Sequence, residues 1–193
     1  MKTLFWSVAI IIVSLSVSGR CEAQRRAGIY GGVNFSSMRV DPSEPITKQN
    51  RLIIGGFGTR QIGSGAAFLF GLQYIEKGGK FDDVDAKLGY LEMLMGLQAG
   101  GTKENGWIYL LGGMGLGLLT SARGRMPSAS VDVKELFQGG DLSVHGGIGL
   151  RIKNFFVEGI YASSLISVIK NEFPQEAFNK GFQLKAGLSF ALW

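Results

Sequence analysis

DLSVHGGIGLRIKNFFVEGIY, residues 141–161, alternates apolar and polar side chains on both sides of one dipeptide. In its first half the even positions are Leu142, Val144, Gly146, Ile148, Leu150 and Ile152. The odd positions are Asp141, Ser143, His145, Gly147, Gly149 and Arg151. A period of two held over that length is a strand with one apolar and one polar face. In the second half Phe155, Val157, Gly159 and Tyr161 alternate with Phe156, Glu158, Ile160 and Ala162. Lys153-Asn154 between the halves predicts a two-residue hairpin turn, Asn being the residue that tolerates positive φ. The predicted register sets residue 152 against 155, 149 against 158 and 145 against 162.

The same alternation recurs along the chain. Phe182, Leu184, Ala186, Leu188, Phe190 and Leu192 oppose Gln183, Lys185, Gly187, Ser189 and Ala191. Leu91, Met93, Met95 and Leu97 oppose Tyr90, Glu92, Leu94, Gly96 and Gln98. Segments 68–75 and 108–118 behave alike, and 26–35 and 51–60 less clearly so. Together they predict eight strands.

The composition of the two faces decides between a soluble and a membrane protein. One face carries large aliphatic and aromatic groups; the other carries glycine, serine, glutamine and occasional charges. A solvent-facing side would be rich in Lys, Glu and Thr, whereas small polar groups suit a crowded lumen. Large apolar residues outward and small polar ones inward is the transmembrane barrel pattern. Such a barrel leaves no backbone group unpaired in lipid. The predicted connections alternate long (36–50, 78–86, 121–139, 166–180) and short (61–64, 100–106, 153–154), as external loops and periplasmic turns do. The expected fold is all-β: an eight-stranded antiparallel up-and-down transmembrane β-barrel in the cell outer membrane.

Glycine is abundant, 30 of 193 residues, and the chain is 46% hydrophobic. That excludes a disordered chain, and no G-X-Y period indicates collagen. Residues 1–23 read as an export signal: Lys2, then an apolar run from Leu4 to Val17, then a small-x-small site at Cys21-Glu22-Ala23. That run is too short for an ordinary membrane-spanning helix. Residues 24–193 are then the barrel domain, with a net charge of 18 − 14 = +4 and no cysteine.

Few residues invite a catalytic interpretation. His145 is the only histidine, and Glu158 lies near it on the partner strand. The predicted register gives Glu158 a diagonal neighbour in Arg151, and leaves His145 facing Ala162. Glu92, His145, Arg151, Glu158 and Lys185 are expected to form a polar cluster in the lumen, where buried charges need partners. An eight-stranded barrel is filled by its own side chains. No Ser-His-Asp spacing and no metal-ligand pattern is evident, so no catalytic, metal or cofactor residues are assigned. GGMGLG (112–117) sits inside an apolar strand with no following helix, which removes a nucleotide-loop interpretation. The scattered charge and the export signal argue against nucleic acid. Arg39, Lys48, Arg123, Arg125 and Lys134 fall in the predicted external loops and are candidates for contact with anionic lipid. Phe155, Phe182 and Tyr74 are expected at interfacial aromatic belts.

The stretches GGVNFSS (31–37), QYIEKGGKF (73–81), YLEM (90–93), FVEGIY (156–161) and FQLKAGLSFALW (182–193) together resemble the PorT-like outer-membrane β-barrel family of Gram-negative bacteria. Two positions depart from its pattern: Leu94 stands where the family often has proline, and Ile160 where it often has arginine. The resemblance implies an eight-stranded outer-membrane barrel, and for some relatives support of protein secretion and attachment at the cell surface. It also implies handling by the barrel-assembly machinery through the C-terminal strand, with Trp193 as the terminal aromatic. Expected partners are outer-membrane lipid and other cell-envelope proteins met by the external loops. The expected role is structural or interactive, without enzyme activity. Two alternatives are an outer-membrane enzyme acting on lipid and a soluble periplasmic barrel holding a small apolar ligand.

Overall fold

In a computed structural model of the chain, residues 25–41, 47–62, 65–81, 84–100, 107–126, 129–169 and 176–192 are described. The export signal, with Lys2 and Cys21, and the terminal Trp193 lie outside these residues. The strands are β1 (Arg25–Asp41), β2 (Gln49–Gln61), β3 (Ala66–Phe81), β4 (Val84–Gly100) and β5 (Trp107–Met126). They continue as β6 (Ala129–Asp132), β7 (Gly140–Ile152), β8 (Phe155–Ser164) and β9 (Glu176–Leu192), with one 3-10 turn at Lys134–Leu136. Every pairing is antiparallel. β1 to β5 and β7 to β9 form the wall, β4 pairs β5, and β1 pairs β9 to close it. The predicted eight-stranded barrel is therefore the observed one; β6 is a short extra strand paired to the outer end of β5.

Register fixes the barrel's geometry. From Phe190 the cross-strand partners run Ala27, Gly58, Phe70, Met95, Met114, Val144, Ser163 and back to β9 at Lys180, ten residues from the start. A stagger of ten over eight strands tilts them by about 40°, in the usual range for a closed barrel. The hairpin 141–161 pairs as its sequence predicts: Ile152 with Phe155, Gly149 with Glu158, His145 with Ala162. At its turn, however, Lys153 and not Asn154 takes the left-handed conformation, at φ 53°.

The outer face is apolar. Ile29, Leu52, Ile108, Leu110, Leu118, Ile148 and Phe190 are each half exposed or more. The outward run on β9 from Phe182 to Leu192 matches the roughly 9–11 residues a tilted strand needs to cross a bilayer. Phe35, Phe182 and Tyr161 form a cross-strand aromatic row, Phe35 and Phe182 stacked at 6.4 Å between centroids. The next outward row on β9 and β8 is Lys180 and Ser163, so the apolar band ends there. Phe155 lies outward beside the opposite, short-turn end. Tyr74 is only partly exposed, its hydroxyl donating to Glu76 at 3.4 Å.

The strands outrun the predicted segments, chiefly at the external end. β1 continues to Asp41, β3 to Phe81, β5 to Met126, and β4 and β9 begin at Val84 and Glu176. A bulge interrupts the wall here: Tyr90 pairs Leu119 while Gly89 pairs Ser121. The skipped Thr120 donates its hydroxyl back to the Gly89 carbonyl at 2.9 Å. Within the extensions Met38, Leu88, Leu119, Ala122 and Ala177 pack inward, joined by the cross-strand pair Ile53 and Ile75. Phe137 and Val168, from the β6–β7 and β8–β9 connections, complete this cluster and plug the external mouth. Gln138 N–H donates to the Val168 carbonyl (2.8 Å) and Val168 N–H to that of Ala177 (2.7 Å), locking the two connections together.

Candidate functional site

The lumen is larger in content than the sequence suggests. Beside the glycines stand Tyr30, Tyr90, Tyr109 and Phe156, all nearly fully buried. The glycines make room for them: a Cβ at Gly149 would overlap the Tyr109 ring, and one at Gly187 would come within 2.8 Å of the Phe156 ring. Phe57 and Phe156 meet edge to face at 5.3 Å, with Tyr30 against both. Aromatic side chains opposite glycine thus fill a space that side chains on every strand would overfill.

Between this lower aromatic cluster and the external plug lies a polar layer. Glu92, on β4, is its centre and is fully buried. One carboxylate oxygen accepts from Lys77 Nζ (2.8 Å) and Ser143 Oγ (2.9 Å); the other accepts from Gln73 Nε2. Lys77 also donates to Asp141 Oδ2 at 2.9 Å, and Asn179 to the same oxygen at 3.4 Å. Gln73 Oε1 in turn accepts from Tyr30 and from Lys185 Nζ, each at 2.9 Å. The network joins β1, β3, β4, β7 and β9 across the lumen. A charge buried without a partner would cost several kcal/mol, so the pairing is what allows these groups in the interior.

All five residues expected in the interior cluster point inward. Glu92, His145 and Lys185 gather around this layer, with Lys185 opposite Glu158 in the β8–β9 ladder. Glu158 accepts from the Tyr109 hydroxyl at 2.7 Å, and Arg151 lies over the Tyr109 ring, 5.3 Å from its centroid. The tyrosine therefore stands between the two residues that the sequence pairs directly. Lys77, Asp141, Gln73, Ser143, Tyr30, Tyr109 and Asn179 are the members that sequence reasoning missed. Asp141, Ser143, Gln73 and Tyr109 were in phase with the inward positions, and extending the 73–75 alternation by one step reaches Lys77.

Ser143, His145 and Glu92 together resemble a hydrolytic triad in composition, and the geometry shows why they are not one. Ser143 Oγ is 2.9 Å from His145 Nε2 and donates to Glu92. The same nitrogen is the one 3.8 Å from Glu92, whereas a triad needs the carboxylate on the other ring nitrogen. Among the described residues no group of three His, Cys, Asp or Glu side chains could hold a metal ion.

A void of about 40 Å³ lies below the polar layer, lined by Tyr30, Phe57, Leu94, His145, Ile160 and Lys185 among others. Leu94 and Ile160, the two departures from the PorT-like pattern, both face it. It is too small for the ligand pockets of proteins, which run to hundreds of Å³.

The external cations are exposed but differ in placement from the expectation. Arg39 lies on β1, and Arg123 and Arg125 on the outer end of β5, not in loops. Lys48 immediately precedes β2, and Lys134 opens the 3-10 turn. Arg39 packs over the Phe178 ring at 4.9 Å, and Lys180 lies nearby on β9.

Among solved structures the barrel is similar to Neisserial surface protein A, with 10% identity and a TM-score of 0.51 over 90% of this chain and 100% of that one. The attachment invasion locus protein Ail of Yersinia pestis is 16% identical, with a TM-score of 0.46 over 87% of this chain and 97% of that one. The outer membrane protein OprG of Pseudomonas aeruginosa is 10% identical, with a TM-score of 0.44 over 87% and 95%. No family model matches the chain, and no curated protein sequence matches it. The fold is that of the small eight-stranded outer-membrane β-barrels.

Proposed function

We propose that this chain resides in the outer membrane of a Gram-negative cell and acts there as a non-enzymatic surface protein through its external rim. The observation that carries this reading is the reversal of the two faces. The outside of the wall is apolar where a soluble barrel would be polar, and the inside is a hydrogen-bonded fill where a carrier would be hollow. Arg39 and Lys180, at the upper edge of the aromatic row, suit the phosphate groups of anionic lipid, each such contact contributing about 1 kcal/mol. Arg123 and Arg125 stand on the β5 extension and suit an acidic partner at the cell surface.

Fractionation tests the membrane part. The protein stays with outer membranes through an alkaline wash and needs detergent for release; recovery in the soluble periplasm would overturn it. Purified protein in planar bilayers shows no steady conductance, since plug and network close the lumen at two levels. The resemblance of the sequence to PorT-like proteins carries the finer suggestion of a part in secretion or surface assembly. A deletion strain that displays its full set of surface proteins would remove that suggestion and leave the barrel reading intact.

A further inference from the structure

The seam where the first strand meets the last encloses a small chamber. Asn34 on β1 lies opposite Gln183 on β9, and with Ser164, Asn179 and Lys77 they line a void of about 10 Å³. Four oxygens of these residues, Asn34 Oδ1, Gln183 Oε1, Ser164 Oγ and Asn179 Oδ1, are buried without a hydrogen-bond partner. The amide orientations are set by their other ends. Asn34 Nδ2 donates to the Glu76 carbonyl at 2.9 Å, and Asn179 Nδ2 donates to Asp141. Gly181 keeps the space open, because a Cβ there would overlap Asn34 Oδ1.

We propose that this chamber is a hydration site that holds one ordered water molecule. The volume is that of about one water. An anion is excluded by a lining of acceptor oxygens. A metal cation is disfavoured by the Lys77 ammonium in the same wall, since like charges at such range repel by several kcal/mol. Water answers both sides of the lining. It accepts from the Lys77 N–H not given to Glu92 or Asp141, and donates its two protons to the amide and hydroxyl oxygens. That makes three hydrogen bonds, the usual number for a buried water. The water then joins β1, β8 and β9 to the ion network at the barrel's closing seam.

A crystal structure of the detergent-solubilised barrel, at a resolution that shows ordered solvent, tests this. One peak within hydrogen-bond distance of Lys77 Nζ and at least two of the four oxygens is expected. It carries no anomalous signal after a rubidium soak. An empty chamber, or a rubidium peak in it, overturns the proposal. Gln183→Leu, which replaces an acceptor with an apolar group of similar size, abolishes the peak while Lys77 keeps its two carboxylates. Should that variant not fold, the wild-type map alone still decides.

Discussion

The same strands obey opposite rules at their two ends. Within the bilayer band β9 turns Leu184 and Leu188 outward and Gln183 and Lys185 inward. Beyond it, β4 and β5 turn Lys87, Arg123 and Arg125 outward, while Leu88 and Ala122 pack inward. The lower part is arranged for a hydrocarbon solvent, the upper part as a soluble sheet around its own small core. What differs is only the medium outside the wall. Lipid offers apolar groups no penalty for exposure, so the interior is left to groups that bond one another. Water restores the ordinary hydrophobic drive, and Phe137 and Val168 follow it into the mouth.

That contrast can be broken first at its polar centre. Glu92→Ala leaves Lys77 and Ser143 without their shared acceptor and is expected to cost about 3–5 kcal/mol in urea refolding with lipid vesicles. The triple change Lys77→Met, Glu92→Leu and Asp141→Asn, which removes all three charges of the bridge, recovers most of that loss; if it does not, the network contributes more than mutual neutralisation. Next in size is a cation on the two outer surfaces. Ile148→Arg, amid the apolar band, costs about 2–4 kcal/mol, whereas Leu136→Arg on the exposed 3-10 turn changes stability by under about 0.5 kcal/mol. Equal losses would show that the band has been placed wrongly.

Two glycines sharpen the comparison between lumen and lipid face. Gly149→Ala drives a methyl into the Tyr109 ring and should destabilise by about 1–3 kcal/mol. Gly146→Ala, outward with nothing within 4 Å, should be neutral or slightly stabilising. In the plug, Val168→Ala removes two methylene equivalents, about 1.6 kcal/mol. Faster tryptic cleavage at Lys134 with unchanged barrel unfolding is the expected result, and a matching loss in both would join plug and barrel into one cooperative unit.

Most of the embedded wall was legible in the residues themselves. Period two, together with a two-residue turn, fixes the 141–161 hairpin down to its register, because slipping by one residue would exchange its faces. The external extensions were not legible, because there the alternation changes sense. QYIEKGGKF puts Glu76 and Lys77 side by side and then two glycines, a sequence that reads as a loop. The structure carries it as strand, with Gly78 at φ 118°. Membership of the interior cluster was partly legible and its pairing was not. Parity says that Glu92, Arg151 and Glu158 face the lumen. Which side chains meet across it depends on the stagger around the whole barrel, so Lys77 reaches Asp141 from 64 positions away.

The closing seam also constrains when this protein can fold. β1 pairs β2 along one edge and β9 along the other, from Arg25 with Leu192 to Asp41 with Glu176, so its second edge is filled only by a strand about 150 residues further along the chain. Until β9 arrives, β1 has one edge whose donors and acceptors are unpaired, which hydrocarbon does not tolerate. The wall therefore cannot be laid into the bilayer strand by strand in order of synthesis. Insertion has to wait for β9 and proceed with closure, and such long-range pairing makes it slow compared with a helical protein of equal length.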